Sequence, residues 1–204
     1  MEFIKKDDKG SEYSIPNNLN NKYLLDFLNH IDQIKNVSND DIIFTVDSIE
    51  SLQDVTIPID TLYVRKFIYD LGMQILLLKE KNLGIKYISI TDIVVLNSNT
   101  FIFINPNMLY NLLDKNDIAI NHSINSNEYG IVNQVDINAQ FLAPEYRETK
   151  KSTYYYYTTG IYSFAKLLLF VFDLNLDNLE DTKLAPFLER CLKEKPEDRI
   201  FLYV

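Results

Sequence analysis

Tryptophan is absent from this 204-residue sequence, cysteine occurs once, histidine twice and glycine only five times. The lone Cys191 has no partner within the chain, so no intramolecular disulfide staples the fold. Its apolar neighbours predict a buried core thiol in a reducing compartment. His30 and His122 stand far apart, and neither has a Cys or Asp at ligand spacing, which argues against zinc. Positive charge is also in deficit. Lys and Arg number 20 against 29 Asp and Glu, giving a formal charge of −9 and a pI near 4.7. The cations are scattered or paired with acids, so no clustered basic surface of the kind that grips a nucleic-acid backbone is expected. Long hydrophobic runs are missing as well: the longest, IYSFAKLLLFVF, is interrupted by Lys166 and is far shorter than the roughly 20 residues a membrane span requires. MEFIKKDDKG lacks the apolar core of a signal peptide, which predicts an intracellular, cytoplasmic chain with no membrane partner. No serine sits in a G-x-S-x-G setting, so a hydrolase has no support.

What is present is enough for a core. With 47% hydrophobic and 24% charged residues, the chain fits one domain or two tightly packed lobes. The charged stretch Lys5-Lys6-Asp7-Asp8-Lys9-Gly10 reads as a turn joining two short strands. Tyr23, Leu24, Phe27, Leu28, Ile31 and Ile34 recur at helical spacing over Leu19 to Ile34. IIFTVDSI, Ile42 to Ile49, reads as one strand. A helix of about twenty residues runs through TLYVRKFIYDLGMQILLLKEKN, with Gly84 as its expected C-cap. IVVL (Ile93 to Leu96) and FIFI (Phe101 to Ile104) read as a hairpin around Asn97-Ser98-Asn99-Thr100. The Asn-rich region from Asn105 to Gln140 reads as irregular, and Asn107 to Gln140 as a surface-lying, partly mobile loop offering a partner-binding site. Two apolar helices follow at Thr158 to Phe172 and Leu184 to Lys193. Tyr154 to Tyr157 stand at the entrance to the first of these, where core packing is favoured over an aromatic recognition patch. The bias toward Asn, Ile, Lys, Tyr and Phe is what an AT-rich genome produces, a mark of ancestry rather than mechanism.

The order of these elements, together with FLAPEYRE at Phe141 to Glu148, FINPN at Phe103 to Asn107 and the terminal CLKEKPEDRI, resembles the protein kinase fold over roughly Ile42 to Arg199. IIFTVDSIESLQDV looks like the last strand of the small lobe passing through the hinge into a short helix. The helix from Thr61 to Lys81 is similar to the one preceding the catalytic loop. GIKYISITDIVVL occupies the place of that loop and its following strand. Aligned on IVV, Tyr87 stands where the family carries its catalytic Asp, Asp92 at the metal-binding Asn, and Asn105 at the Asp of Asp-Phe-Gly. The interval of 18 residues from Tyr87 to Asn105 is the one the family uses. Ala143-Pro144-Glu145 matches the end of the activation segment. TGIYSFAKLLLFVF resembles the next buried helix, with Gly160 and Ala165 at the family's Asp and Gly places. The resemblance further implies an ion pair between Glu145 and Arg199.

Phosphoryl transfer is mostly positioning and charge neutralisation. It uses a glycine-rich loop, a lysine on the phosphates held by a glutamate, oxygen ligands for magnesium and an aspartate that orients the nucleophile. None of the five glycines forms G-x-G-x-x-G, no Val-Ala-Ile-Lys strand precedes the first helix, and Tyr87 has no carboxylate. Asn105 is a neutral amide, a poor ligand for Mg²⁺, while Asp92 reads as a solvated loop carboxylate or helix cap rather than a metal ligand.

These residues lead to an α+β fold of protein kinase type, with a reduced N-terminal lobe over residues 1–54 and a mainly helical C-terminal lobe over 55–204. The resemblance implies a degenerate pseudokinase acting as a scaffold or regulator through an unidentified protein partner. No enzyme activity, cofactor, metal or nucleic acid is expected, and no ATP binding. The alternatives are a structural or assembly subunit, in a virion of a large DNA virus, and an unorthodox active Ser/Thr kinase rebuilt from Asp92, Asp136 or other acids.

Overall fold

A computed structural model describes residues 5–6, 12–16, 24, 27–28, 34–37, 41–58, 60–112, 118–120, 140–147, 154–180 and 182–202. They form helices and small sheets whose strand pairings are all antiparallel, an α+β arrangement. Contacts divide the chain into two compact units. One comprises Met1–Thr56, Asp60–Lys81 and Thr91–Asn107, the other Ile57–Ile59, Asn82–Ile90 and Met108–Val204. The units interleave along the chain, whereas the boundary between 1–54 and 55–204 cuts it once.

The first unit opens with strands β1 (Lys5–Lys6) and β2 (Glu12–Pro16), paired with Lys5 opposite Ser14, so Lys5 and Lys6 belong to a strand and not to the turn read from the sequence. With β3 (Ile34–Val37) and β4 (Asp41–Thr45) they form a sheet of order β1-β2-β4-β3. Tyr13 on β2 faces Phe44 on β4, their rings stacked at 6.0 Å. Leu24, Phe27 and Leu28 are helical and buried, as the periodicity requires. Ile34 is not the end of that helix but the first residue of β3. IIFTVDSI is likewise not one strand. It breaks at Val46–Ser48, and β5 (Ile49–Ser51) joins a different sheet. No helix follows among the described residues before Asp60: Leu52 to Asp54 make a turn closed by the Asp54 N–H on Ser51 O at 2.9 Å.

Helix α1 (Thr61–Glu80) begins at Asp60, whose Oδ1 accepts from the Leu62 and Tyr63 N–H groups at 2.7 and 2.9 Å. It ends at Lys81, and Asn82, with φ 56°, takes the left-handed position after the cap. Gly84 is therefore not the cap. It lies in β6 (Leu83–Ile85), buried beneath the Tyr110 ring, which a Cβ at this position would strike. Strands β7 (Ile93–Leu96) and β8 (Thr100–Phe103) form the expected hairpin, and with β5 they make a sheet of order β5-β7-β8. Positive φ values at both Asn97 and Ser98 and the Asn99 N–H on Leu96 O at 3.1 Å define a turn of type I′. All four residues of β7 are buried, as for a strand covered on both faces.

The outer edge of β8 is covered by α1 through an arrangement that alternation alone does not reveal. Phe67 packs edge-on against Phe101 at 5.0 Å. Asp70 Oδ2 accepts from the Phe101 N–H at 3.0 Å and Gln74 Oε1 from the Phe103 N–H at 3.0 Å. Gln74 Nε2 donates to Phe101 O at 3.1 Å. Two side chains one helical turn apart thus occupy three outward-facing backbone groups of an edge strand, which would otherwise lie unpaired.

In the second unit β6 pairs with β9 (Leu109–Asn111), and β10 (Ile118–Ile120) with β11 (Tyr154–Tyr156). The stretch from Asn105 to Gln140 is therefore not uniformly irregular. Residues 113–117 and 121–139, most of the proposed partner-binding loop, lie outside the described residues, as do His30, His122 and Asp136. A short helix α2 (Pro144–Arg147) is followed by α3 (Tyr157–Val171) and α4 (Leu184–Cys191), close to the helices read from the sequence. Phe164 and Phe187 pack with Phe201 as a three-ring cluster, with centroids 5.6 to 6.4 Å apart. Cys191 is buried here, its Sγ 3.7 Å from Ile200 O, and loss of solvation pushes the thiol up to about 12 against the opposing Arg190 charge.

Candidate functional site

Asp92 precedes β7 and Asn105 follows β8 by one residue. Because Ile93 stands opposite Phe103 in the antiparallel hairpin, the two side chains emerge side by side at its open end. Ile104 N–H donates to Asp92 O at 2.9 Å and closes the pairing there. Asn105 Nδ2 then donates to Asp92 Oδ1 at 2.7 Å, while Asn105 Oδ1 accepts from the Asn107 N–H at 3.1 Å. Asp92 is only 5% exposed, so it is a buried, hydrogen-bonded carboxylate and not the solvated loop residue expected from its sequence setting. The amide presents its nitrogen to the carboxylate and spends its oxygen on the backbone. Two oxygen donors do not converge in this arrangement, whereas a hard divalent cation needs several.

Tyr87 belongs to the other unit, in the segment after β6, and is half-buried. This segment is gripped by α3. Ser163 Oγ accepts from the Ile88 N–H at 2.7 Å and donates to Ile88 O at 3.2 Å, both groups buried. One turn earlier, Gly160 lets the Ile85 backbone approach so closely that a Cβ there would lie 3.1 Å from Ile85 O. The hydroxyl of Ser163 thus anchors the chain beside Tyr87 from within a buried helix. Its role was not singled out from the sequence, where a serine in an apolar helix gives only a weak sign of back-bonding.

Glu145 on α2 and Arg199 are brought together across 54 residues. Arg199 Nη1 and Nη2 donate to Glu145 Oε1 and Oε2, both at 2.7 Å, a fork on a carboxylate. The guanidinium spends its remaining donors on main-chain carbonyls: Nε on Lys193 O at 2.7 Å, Nη2 also on Glu194 O at 2.8 Å, and Nη1 weakly on Thr158 O at 3.4 Å. It also lies over the Tyr162 ring, 4.9 Å from its centroid. Glu145 Oε1 takes a further hydrogen bond from Thr159 Oγ1 at 2.7 Å, and the same hydroxyl accepts from the Tyr156 N–H at 3.1 Å at the start of α3. Thr158 Oγ1 reaches Pro196 O at 2.8 Å. The Arg199 side chain is fully buried and that of Glu145 is 12% exposed. This is a positioning hub: it ties α2, the start of α3 and the segment after α4 together.

Of the four tyrosines at the entrance to α3, Tyr157 is buried and Tyr156 half-buried, while the side chains of Tyr154 and Tyr155 lie outside the described set. Among the described residues no three His, Cys, Asp or Glu side chains converge as a metal would require, and no helix is long and apolar enough to cross a membrane. No protein-family model matches the chain, and no curated protein matches it.

Proposed function

We propose that the chain is a degenerate, catalytically inactive kinase-like domain, with a reduced N-terminal lobe and a mainly helical C-terminal lobe, that acts as a scaffold or regulator through protein contacts. The observation that carries the reading is the hydrogen bond from Asn105 to Asp92. At the two positions that would hold magnesium if the resemblance is right, one side chain satisfies the other. Glu145 and Arg199, at the matching end of the activation segment and closing motif, form a bidentate pair, the architectural tie the resemblance implies. The two sites differ in chemistry: the first offers Asn105 and Tyr87 at the places where phosphoryl transfer uses a magnesium-binding and a nucleophile-orienting Asp, while the second holds backbone segments in place. Binding energy in such a molecule is available for partners rather than for a transition state.

Thermal shift with ATP and Mg²⁺, together with a radiolabelled transfer assay, tests the reading. A ligand at a hundred times its dissociation constant stabilises by about 2.7 kcal/mol. No shift and no label are expected. Incorporation that disappears in Asp92→Ala and survives in Tyr87→Phe would replace this reading with a rebuilt active site. Co-purification at fixed stoichiometry in a large assembly would favour a structural subunit.

A further inference from the structure

On α1 the residues Leu62, Lys66, Tyr69, Met73, Leu76 and Glu80 follow one another at spacings of four, three, four, three and four. That is the spacing of a coiled-coil seam, two and a half heptads and about 27 Å long. It lies on the side of the helix away from Phe67, Leu71, Ile75 and Leu78, which are buried. Three of its apolar members are open, Leu62 at 73%, Tyr69 at 51% and Leu76 at 42% exposure, and Met73 between them is half-buried, on a helix already held in shape by its other face. Scattered single hydrophobics on a surface need no explanation, but an aligned row at seam spacing does.

We propose that this seam pairs with the same seam of a second copy of the chain, the two helices running antiparallel about a two-fold axis. The distribution of charge along the seam selects both the partner and the direction. Lys66 sits near one end and Glu80 at the other. A parallel pair would set Lys66 against Lys66 and Glu80 against Glu80, burying like charges face to face. The antiparallel stagger that places Tyr69 against the second copy's Met73 also places Leu62 against its Glu80 and Lys66 against its Leu76. The Lys66 ammonium then lies about one turn from the second copy's Glu80 carboxylate, and the two-fold axis repeats the contact. Lys66 already donates to Asp70 at 2.6 Å, which leaves donors of its ammonium for a second carboxylate.

At the Leu62 end, Leu62, Tyr63, Lys66 and Asn99 line a hollow of about 160 Å³. This is too small for a drug-sized ligand, which fills roughly 300 to 1,000 Å³, and it suits one aliphatic side chain. In the antiparallel stagger that side chain is the second copy's Leu76. A pair of 20-residue helices buries less than a standard interface, so the dimer is weak, with a dissociation constant on the order of 10 µM or above. The pairing rests on the surface of α1 alone and stands apart from the kinase-like reading.

Sedimentation velocity of the full chain over a concentration series is the test. A monomer–dimer equilibrium is expected, and Leu62→Asp or Leu76→Asp should weaken it by about tenfold or more. Both side chains are exposed, so the variants should keep the parent's circular dichroism and melting curve. A protein that stays monomeric up to about 0.5 mM, or a dimer that survives both substitutions, would overturn the proposal. Direction is read by oxidising an equal mixture of Leu62→Cys and Glu80→Cys proteins, in which the buried Cys191 does not compete. The mixed disulfide between positions 62 and 80 is expected, and predominance of 62 with 62 would overturn the antiparallel arrangement.

Discussion

Removing either partner of the Glu145 and Arg199 pair should destabilise the protein strongly, and the two single variants should fail in different ways. In Glu145→Ala the guanidinium stays fully buried with only the carbonyls of Lys193, Glu194 and Thr158 to receive its protons. In Arg199→Ala the carboxylate keeps the Thr159 hydroxyl and a small exposed area, but the Lys193 and Glu194 carbonyls lose their donor and Tyr162 loses the cation over its ring. Breaking a buried pair on one side costs about 3 to 5 kcal/mol. For a chain of this length each kcal/mol moves the melting temperature by roughly 2 to 4 °C, so either variant should melt about 6 to 20 °C lower. Such a loss is a large part of a typical stability of about 5 to 15 kcal/mol. The double variant should lose much less than the sum, because it leaves no uncompensated charge. Arg199→Lys should restore little, since one ammonium cannot reproduce a fork on Glu145 and the Nε bond to Lys193 O at once. Calorimetry on the four variants decides the matter. Single variants that melt within about 1 °C of the parent would refute the reasoning, as would a double variant whose loss equals the sum.

Asp70→Ala and Gln74→Ala should each cost about 1 to 3 kcal/mol, because each strands buried backbone groups of β8. Hydrogen exchange at the Phe101 and Phe103 amides should accelerate in the respective variants, and unchanged exchange would contradict the edge-covering role. Gly84→Ala should destabilise by forcing the Tyr110 ring aside, and much less so in a Tyr110→Ala background; equal melting losses in both backgrounds would remove the ring as the cause. The Cys191 thiol, raised from 9.0 to about 12, holds its proton in the folded protein after the unfolded chain has lost it. Its stabilising contribution is therefore present below about pH 9 and is lost as pH rises toward 12. Urea midpoints should fall more over that range for the parent than for Cys191→Val, and parallel curves would refute the assignment.

The elements of the molecule were legible to different degrees, and the reason is physical. The helices and the β7 to β8 hairpin were readable because helical periodicity, an unbroken apolar run and a turn with two left-handed residues are all local. IIFTVDSI failed for the opposite reason. Alternation and β-branching persist across Val46 to Ser48, so nothing in the run itself marks where the chain leaves one sheet and enters another. Gly84 misled because a glycine past a helix satisfies two demands equally well, a left-handed cap and a close approach. Here Asn82 met the first, and the Tyr110 ring imposed the second.

The sites divide in the same way. Asp92 meets Asn105 because a hairpin brings its ends together, so their adjacency follows once the strands are paired, but the burial of Asp92 depends on packing that no local pattern records. The Glu145 and Arg199 pair spans 54 residues and was reached only through the order of motifs. Asp70 and Gln74 carried the opposite kind of sign. They are polar residues four apart on the face of α1 that also bears Phe67, Leu71, Ile75 and Leu78, and a polar side chain on a core stripe must find buried partners. A strand edge in need of donors and acceptors is the partner such a pair can serve. Read that way, two polar interruptions of an apolar helix stripe point to an edge strand beneath it before any tertiary contact is known.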